Sequence, residues 1–130
     1  MSNKATELLA QAGTFFIATV EGDQPRVRPF GASAEIDGKT YICLNNTKKV
    51  YAQLIANPKI EITATVEGGN WFRITAKAVR DNTNEARAKM LEANPGLGGM
   101  YKADDGIYEV FYLDDVHGAV ESFSGSKEEF

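Results

Sequence analysis

Apolar and polar residues alternate along much of this chain, and the alternation sets most of its predicted elements. Lys59-Ile-Glu-Ile-Thr-Ala-Thr-Val66 keeps a period of two, the pattern of a strand with one buried face. Thr14-Phe-Phe-Ile-Ala-Thr-Val20 and the run from Trp71 to Asp81 are rich in aromatic and β-branched residues and read as strands too. Arg26 to Glu35 reads as one strand interrupted by Pro29 and Gly31. A proline removes a ladder donor, so this strand belongs at an edge or a bulge. Asp37-Gly38, between Ala34-Glu-Ile36 and Lys39-Thr-Tyr-Ile-Cys-Leu44, is a hairpin signal, because such turns need positive φ. Ile107–Leu113 and Gly118–Phe123 read as the last two strands, followed by a polar tail from Ser124 to Phe130.

The period lengthens in three places. Residues 3–12 fit a short amphipathic helix stopped by Gly13. Lys48 to Ala56 fits a second, with Val50, Leu54 and Ile55 on its inner side, and Asn57-Pro58 ends it. Thr83 to Ala93 fits a third, and Pro95-Gly-Leu-Gly-Gly99 reads as a flexible connection. About six strands in mostly antiparallel order, with few helices, point to a mainly β domain spanning residues 1–130 and built as a small barrel. The helix after the third strand would plug or cap one barrel end.

Composition narrows the function classes more than the fold. With 130 residues and 43% hydrophobic, the chain can form one ordinary core. A net charge of −4 opposes both nucleic acid and an anionic membrane surface as partners. That charge also opposes a nucleic-acid-binding barrel as a rival reading. No apolar run approaches the roughly 20 residues that span a bilayer. The segment from Met1 lacks the apolar stretch of a secretory signal. Cys43, the only cysteine, reads as a small buried hydrophobe, and the expected location is cytoplasmic. His117 is the only histidine, and one imidazole is a poor metal site, so no metal is expected. The sequence holds no GxSxG, HExxH, CxxC, P-loop or GxGxxG pattern, which pushes any chemistry onto a cofactor.

Against this acidic background one cluster is basic. Arg26-Val-Arg-Pro-Phe30 is a strand carrying guanidiniums, and Asn45-Asn-Thr-Lys-Lys49 is a polar loop that leads into the second helix. Cationic side chains beside a helix N-terminus make an anion site, because exposed N–H groups and the positive dipole end add to their charge. Arg26 and Arg28 share a side-chain parity. Thr47 is placed to cap the helix. Of the adjacent Lys48 and Lys49, one is expected on the anion and the other in solvent. Asn45 and Asn46 offer donors and acceptors, or else serve only as turn residues.

These pieces, in this order, resemble the pyridoxamine-phosphate-oxidase-like family of FMN-binding split β-barrels, and within it the short stress-protein and nitroimidazole-resistance-like branch. Thr14–Val20 resembles its first strand, Gln24–Phe30 the strand whose arginine holds the flavin phosphate, and Asn45–Pro58 its basic loop and helix. Asn70–Val79 is similar to the strand that reaches across the dimer. The C-terminal strands resemble Ile107–Leu113 and Ser122–Gly125.

The resemblance implies a six-stranded antiparallel split β-barrel with short flanking helices, and a homodimer with two FMN sites between subunits. It assigns the phosphate to Arg28, Thr47, Lys48 and Lys49. Pro29, Phe30 and Gly31 would line the flavin ring edge with backbone, and Asn45 and Asn46 would meet its uracil-like end. Trp71 would reach the partner's flavin, or serve as a core or interface aromatic.

The implied function is an oxidoreductase passing electrons from a reduced nicotinamide to a small acceptor such as a quinone or nitro compound, with no side chain acting as acid or base. The rivals are a flavin-binding stress protein without turnover, and a split barrel that binds deazaflavin or heme. Thr47-Lys48-Lys49 stands where the vitamin oxidases carry Ser-Arg-Lys, and their C-terminal Arg–His pattern is missing. Oxidation of pyridoxamine phosphate is therefore not expected.

Overall fold

The computed structural model describes residues 3–130; Met1 and Ser2, where the signal reading begins, lie outside the described residues. The elements run α1 (Lys4–Ala12), β1 (Phe15–Glu21), β2 (Gln24–Phe30), β3 (Ser33–Ile36), β4 (Lys39–Asn45), α2 (Lys49–Ala56), β5 (Lys59–Thr65), β6 (Trp71–Arg80), α3 (Asn84–Ala93), β7 (Tyr108–Glu121) and β8 (Lys127–Glu129). Two 3-10 turns, Glu67–Gly69 and Pro95–Gly99, complete the order.

All strand pairs are antiparallel, in the order β2-β1-β5-β6-β7-β4-β3, with β8 added to the C-terminal half of β7. The eight strands form one sheet, against the six of the implied split barrel and the seven runs that read as strands. The difference has two sources. The run Arg26 to Glu35 breaks at Gly31-Ala32, so β2 pairs with β1 and β3 with β4 at opposite ends of the sheet. The tail is not free either, because Lys127–Glu129 pairs with Ala119–Glu121. Conversely, Ile107–Leu113 and Gly118–Phe123 belong to one long strand, which absorbs its irregularity at Asp115 (φ 51°) and near Thr75–Lys77 of β6. The sheet wraps one core and is split between β2 and β3.

That core is filled by inward positions of β1, β4, β5, β6 and β7: Phe15 and Ile17, Ile42 and Leu44, Ile60 and Ile62, Phe72 and Ile74, Phe111 and Leu113. Burying each such side chain contributes about 1.5–3 kcal/mol. Phe16 is 42% exposed, because it follows Phe15 on a strand and takes the other face. Val50 and Leu54 of α2 enter the core while Ile55 does not; the third inward position of that helix belongs to Gln53. Asn3 and Thr83 cap α1 and α3 through their side chains, whereas Lys48 at the start of α2 supplies no side-chain cap. The Asp37-Gly38 turn has positive φ at both residues, as the hairpin signal requires.

Candidate functional site

A cavity of about 1070 Å³ opens along the seam between β2 and the β4–α2 junction. It is roomier than most small-molecule pockets, whose volumes run from about 300 to 1,000 Å³. One end is cationic, lined by Arg26, Arg28, Lys48, Lys49 and Gln53. The rest is mostly apolar: Pro29 to Ala32 and Cys43 to Asn45 on one side, Ala93 to Leu97 with Met100 and Tyr101 on the other.

Arg28 is the best-defined group in the cationic end. Its Nη1 donates to the Ile17 carbonyl (3.1 Å) and to Thr19 Oγ1 (2.8 Å), and its Nη2 donates to Gln53 Oε1 (2.7 Å). A guanidinium has five N–H donors. The two that remain, Nε–H and one on Nη2, share an edge of the fork and have no partner among the described residues. All three acceptors are uncharged, so Arg28 keeps its positive charge uncompensated. Burial and the neighbouring Arg26 lower its pKa from the ordinary value, yet a guanidinium remains a cation near neutral pH.

Arg26 is different. Its Nε and Nη2 both donate to Glu21 Oε1 (3.1 and 2.8 Å), and this bond is the main cause holding the Glu21 carboxyl below the usual range. The two arginines share a face, but only one is free to meet an anion. Lys48 and Lys49 are exposed, line the cavity, and form no ion pair among the described residues. They stand at the uncapped start of α2, whose first N–H groups have no intrahelical acceptor.

The loop residues divide. Asn45 lines the cavity, and its Oδ1 accepts from the Thr47 N–H (2.8 Å) and the Thr47 hydroxyl (2.6 Å), so Thr47 is held by the turn and does not cap α2. Asn46 turns away from the cavity. Its Nδ2 donates to the Gly106 carbonyl (2.9 Å) and to Glu109 Oε2 (2.8 Å), and Glu109 also pairs with Arg80 (2.9 Å). Trp71 lies outside the cavity in this single chain. It packs at a tilt of 59° against Phe123 with centroids 4.8 Å apart, and it shares the outer sheet face with Phe16.

Several cavity residues were not anticipated from the sequence. Gln53, and Thr19 behind Arg28 rather than on the cavity wall, are polar side chains at inward positions, and that misfit with the hydrophobic pattern was the available signal. The wall from Ala93 to Tyr101 had no such signal, since it looked like a plain glycine-rich connection. Cys43 sits on the apolar wall, where burial pushes its thiol up. The buried Tyr108 hydroxyl beside it has no nitrogen or oxygen partner. Among the described residues no cluster of His, Cys, Asp and Glu is suited to a metal, and no helix is long and apolar enough to cross a membrane.

Comparison with known proteins adds a lineage. The family described as pyridoxamine 5'-phosphate oxidase matches residues 1–108. A NimC/NimA family protein from Clostridium acetobutylicum is 46% identical, with a TM-score of 0.92 over 98% of this chain and 91% of that one. General Stress Protein 26 from Bacillus anthracis shares the fold at 14% identity, with a TM-score of 0.72 over 96% of this chain and 95% of the other. A heme binding protein from Mycobacterium smegmatis does so at 15% identity, with a TM-score of 0.71 over 100% of this chain and 58% of its own. No curated protein matches the sequence.

Proposed function

The chain belongs to the pyridoxamine 5'-phosphate oxidase family, and from that premise we propose that it is an FMN-binding oxidoreductase acting as a homodimer. The observation that carries the reading is Arg28: a guanidinium with one edge of its fork open and no carboxylate on it, at the cationic end of a cavity that is otherwise apolar. A flavin mononucleotide has the matching polarity, with a dianionic phosphate at one end and a flat ring at the other. Bound FMN supplies hydride and electron transfer, here between a reduced nicotinamide and a small acceptor of the quinone or nitro class.

The chain's own residues bind and orient. Arg28, Lys48, Lys49 and the open N-terminus of α2 hold the phosphate. Backbone from Phe30 to Ala32 and the Leu44–Asn45 segment border the ring. Pro29 has no N–H, so Phe30 or Gly31 donates any bond to the ring edge. Leu97, Met100 and Tyr101 exclude water from the opposite side. No cavity-lining carboxylate or imidazole is available as acid or base, so these side chains would bind and orient without moving a proton.

A second copy fits the open side. Val27 and Met100 line the cavity yet are each 66% exposed, so one subunit leaves its wall incomplete. The outer face of the sheet carries Phe16, Val27 and Trp71, and a two-fold contact over it would bring Trp71 toward the partner's cavity.

The deciding experiment is the absorption spectrum of the protein as purified, followed by sedimentation and anaerobic reduction with reduced nicotinamide. Flavin bands, a dimer and bleaching on reduction are expected. A heme Soret band or a deazaflavin spectrum refutes FMN as the cofactor. Flavin bands without turnover on any quinone or nitro acceptor support the stress-protein reading instead.

A further inference from the structure

Gln53 has no evident reason to be where it is. It is 5% exposed on the inward face of α2, where the pattern of the helix calls for an apolar residue. Its partners explain it. Its Oε1 accepts from Arg28 Nη2 (2.7 Å) and from the hydroxyl of Thr19 (2.5 Å), itself 2% exposed. Its Nε2 faces Glu21 Oε2 at 3.5 Å. The amide therefore stands between a carboxylate and a guanidinium, with its donor end toward one and its acceptor end toward the other. Glu21 is in turn occupied by Arg26 on its far side.

We propose that Gln53, with Thr19, is a positioning residue that keeps Arg28 fixed and free of any carboxylate, and so makes the cavity selective for a phosphorylated ligand over its unphosphorylated counterpart. This rests on the FMN reading of the cavity but makes a separate claim, that the anion grip depends on an uncharged amide whose acceptor is turned to Arg28. A neutral acceptor orients the guanidinium without cancelling its charge. A carboxylate in the same place would pair with the guanidinium and cancel the charge that a phosphate needs. Arginine held by three neutral acceptors, with the nearest carboxylate already paired, is the arrangement expected if the charge is reserved for something outside the chain.

The test uses the full-length protein freed of bound flavin, in the wild type, Gln53→Glu and Gln53→Met. FMN and riboflavin are titrated in parallel, inorganic phosphate is titrated by 31P line broadening, and circular dichroism reports folding. Gln53→Glu should weaken FMN by roughly tenfold or more, the range for one charge-assisted contact, and leave riboflavin unchanged. Gln53→Met keeps the bulk and removes the acceptor without adding charge, so its loss should be only a few-fold. A merely structural role predicts equal losses for both flavins and both variants, and that result overturns the proposal. So does unchanged FMN affinity in Gln53→Glu.

If the wild type ignores FMN but broadens phosphate, and Gln53→Glu does not, the FMN reading fails and the positioning role stands. If the wild type takes neither probe, both fall. If Gln53→Glu does not fold, Gln53→Met decides: a few-fold, FMN-specific loss supports the role, and no loss or an equal riboflavin loss overturns it.

Discussion

Replacing Arg28 by alanine tests the phosphate assignment at its centre. The fold should tolerate it. Thr19 still donates to Gln53 Oε1, and Arg28 is a half-buried residue on an edge strand, so no core contact is lost. Binding should not tolerate it. Two open donors face the cavity, and a hydrogen bond to a charged group contributes on the order of 1.5–3 kcal/mol. Lys48, Lys49 and water would take up part of the phosphate's demand, so the net loss corresponds to about one such bond. At about 1.4 kcal/mol per factor of ten, FMN should bind roughly ten- to a hundredfold more weakly. Riboflavin, with no phosphate, should bind wild type and variant alike. Arg28→Lys should recover only part of the loss, because an ammonium cannot present two coplanar donors. Fluorescence titration with both flavins measures this, with circular dichroism as the folding control. Equal FMN affinity in wild type and Arg28→Ala would falsify the assignment.

Three further outcomes are expected. Trp71 is the chain's only tryptophan, so if a dimer carries it to the partner's flavin its emission should fall as FMN binds; constant emission at saturation returns it to a structural role. An added Cβ at Gly31 meets nothing closer than the Gly13 carbonyl at 3.9 Å, so Gly31→Ala should leave stability unchanged yet weaken FMN and riboflavin together; unchanged binding of both removes the flavin ring from this segment. A Cβ on Gly118 would lie 2.3 Å from the Phe130 ring, so Gly118→Ala should displace that ring and cost about 1–2 kcal/mol, a Tm drop of a few degrees. Phe130→Ala should cost a similar amount, and the two should not add; full additivity in the double variant refutes the contact.

The periodic parts of this fold were legible and the exceptions to periodicity were not. β5 alternates without a break, so its buried face could be read directly from Ile60, Ile62 and Ala64. The stop at Gly13 and the Asp37-Gly38 turn declare their backbone conformations through residue type. By contrast, Arg26 to Glu35 is β-like throughout, and only long-range pairing decides that its halves join opposite ends of the sheet. The Ser124–Phe130 tail has no strand pattern; its order comes from one edge of β7 and one ring on Gly118.

At the site, charge was visible but its availability was not. Arg26 and Arg28 look alike in sequence, and it takes the position of Glu21 to show that one is spent. Asn45 and Asn46 look alike too, and the neighbouring Tyr108–Glu109 strand end draws the second one away. The wall from Ala93 to Tyr101 is separated in sequence by more than forty residues from the basic loop it faces, and nothing local marks it.

The split in the barrel and the cavity have one origin. β2 pairs on one side only, as does β3, and the chain between them is two residues long. A closed barrel would join these edges and satisfy both ladders. Pro25 and Pro29 on β2 remove two donors that closure would need. The open edge leaves backbone polar groups and Arg28 beside an apolar hollow, an unfavourable state for one chain in water and a useful one for a ligand with a charged end and a flat polar-edged ring. The charges are sorted accordingly. Glu21 and Arg26 cancel one another, Glu109 and Arg80 cancel beside Asn46, and Arg28 with the two loop lysines is left uncancelled where the seam meets α2. An acidic protein with a net charge of −4 thus keeps the Arg28 charge uncancelled by placing acceptors without charge, Thr19 and Gln53, where carboxylates would otherwise serve stability as well.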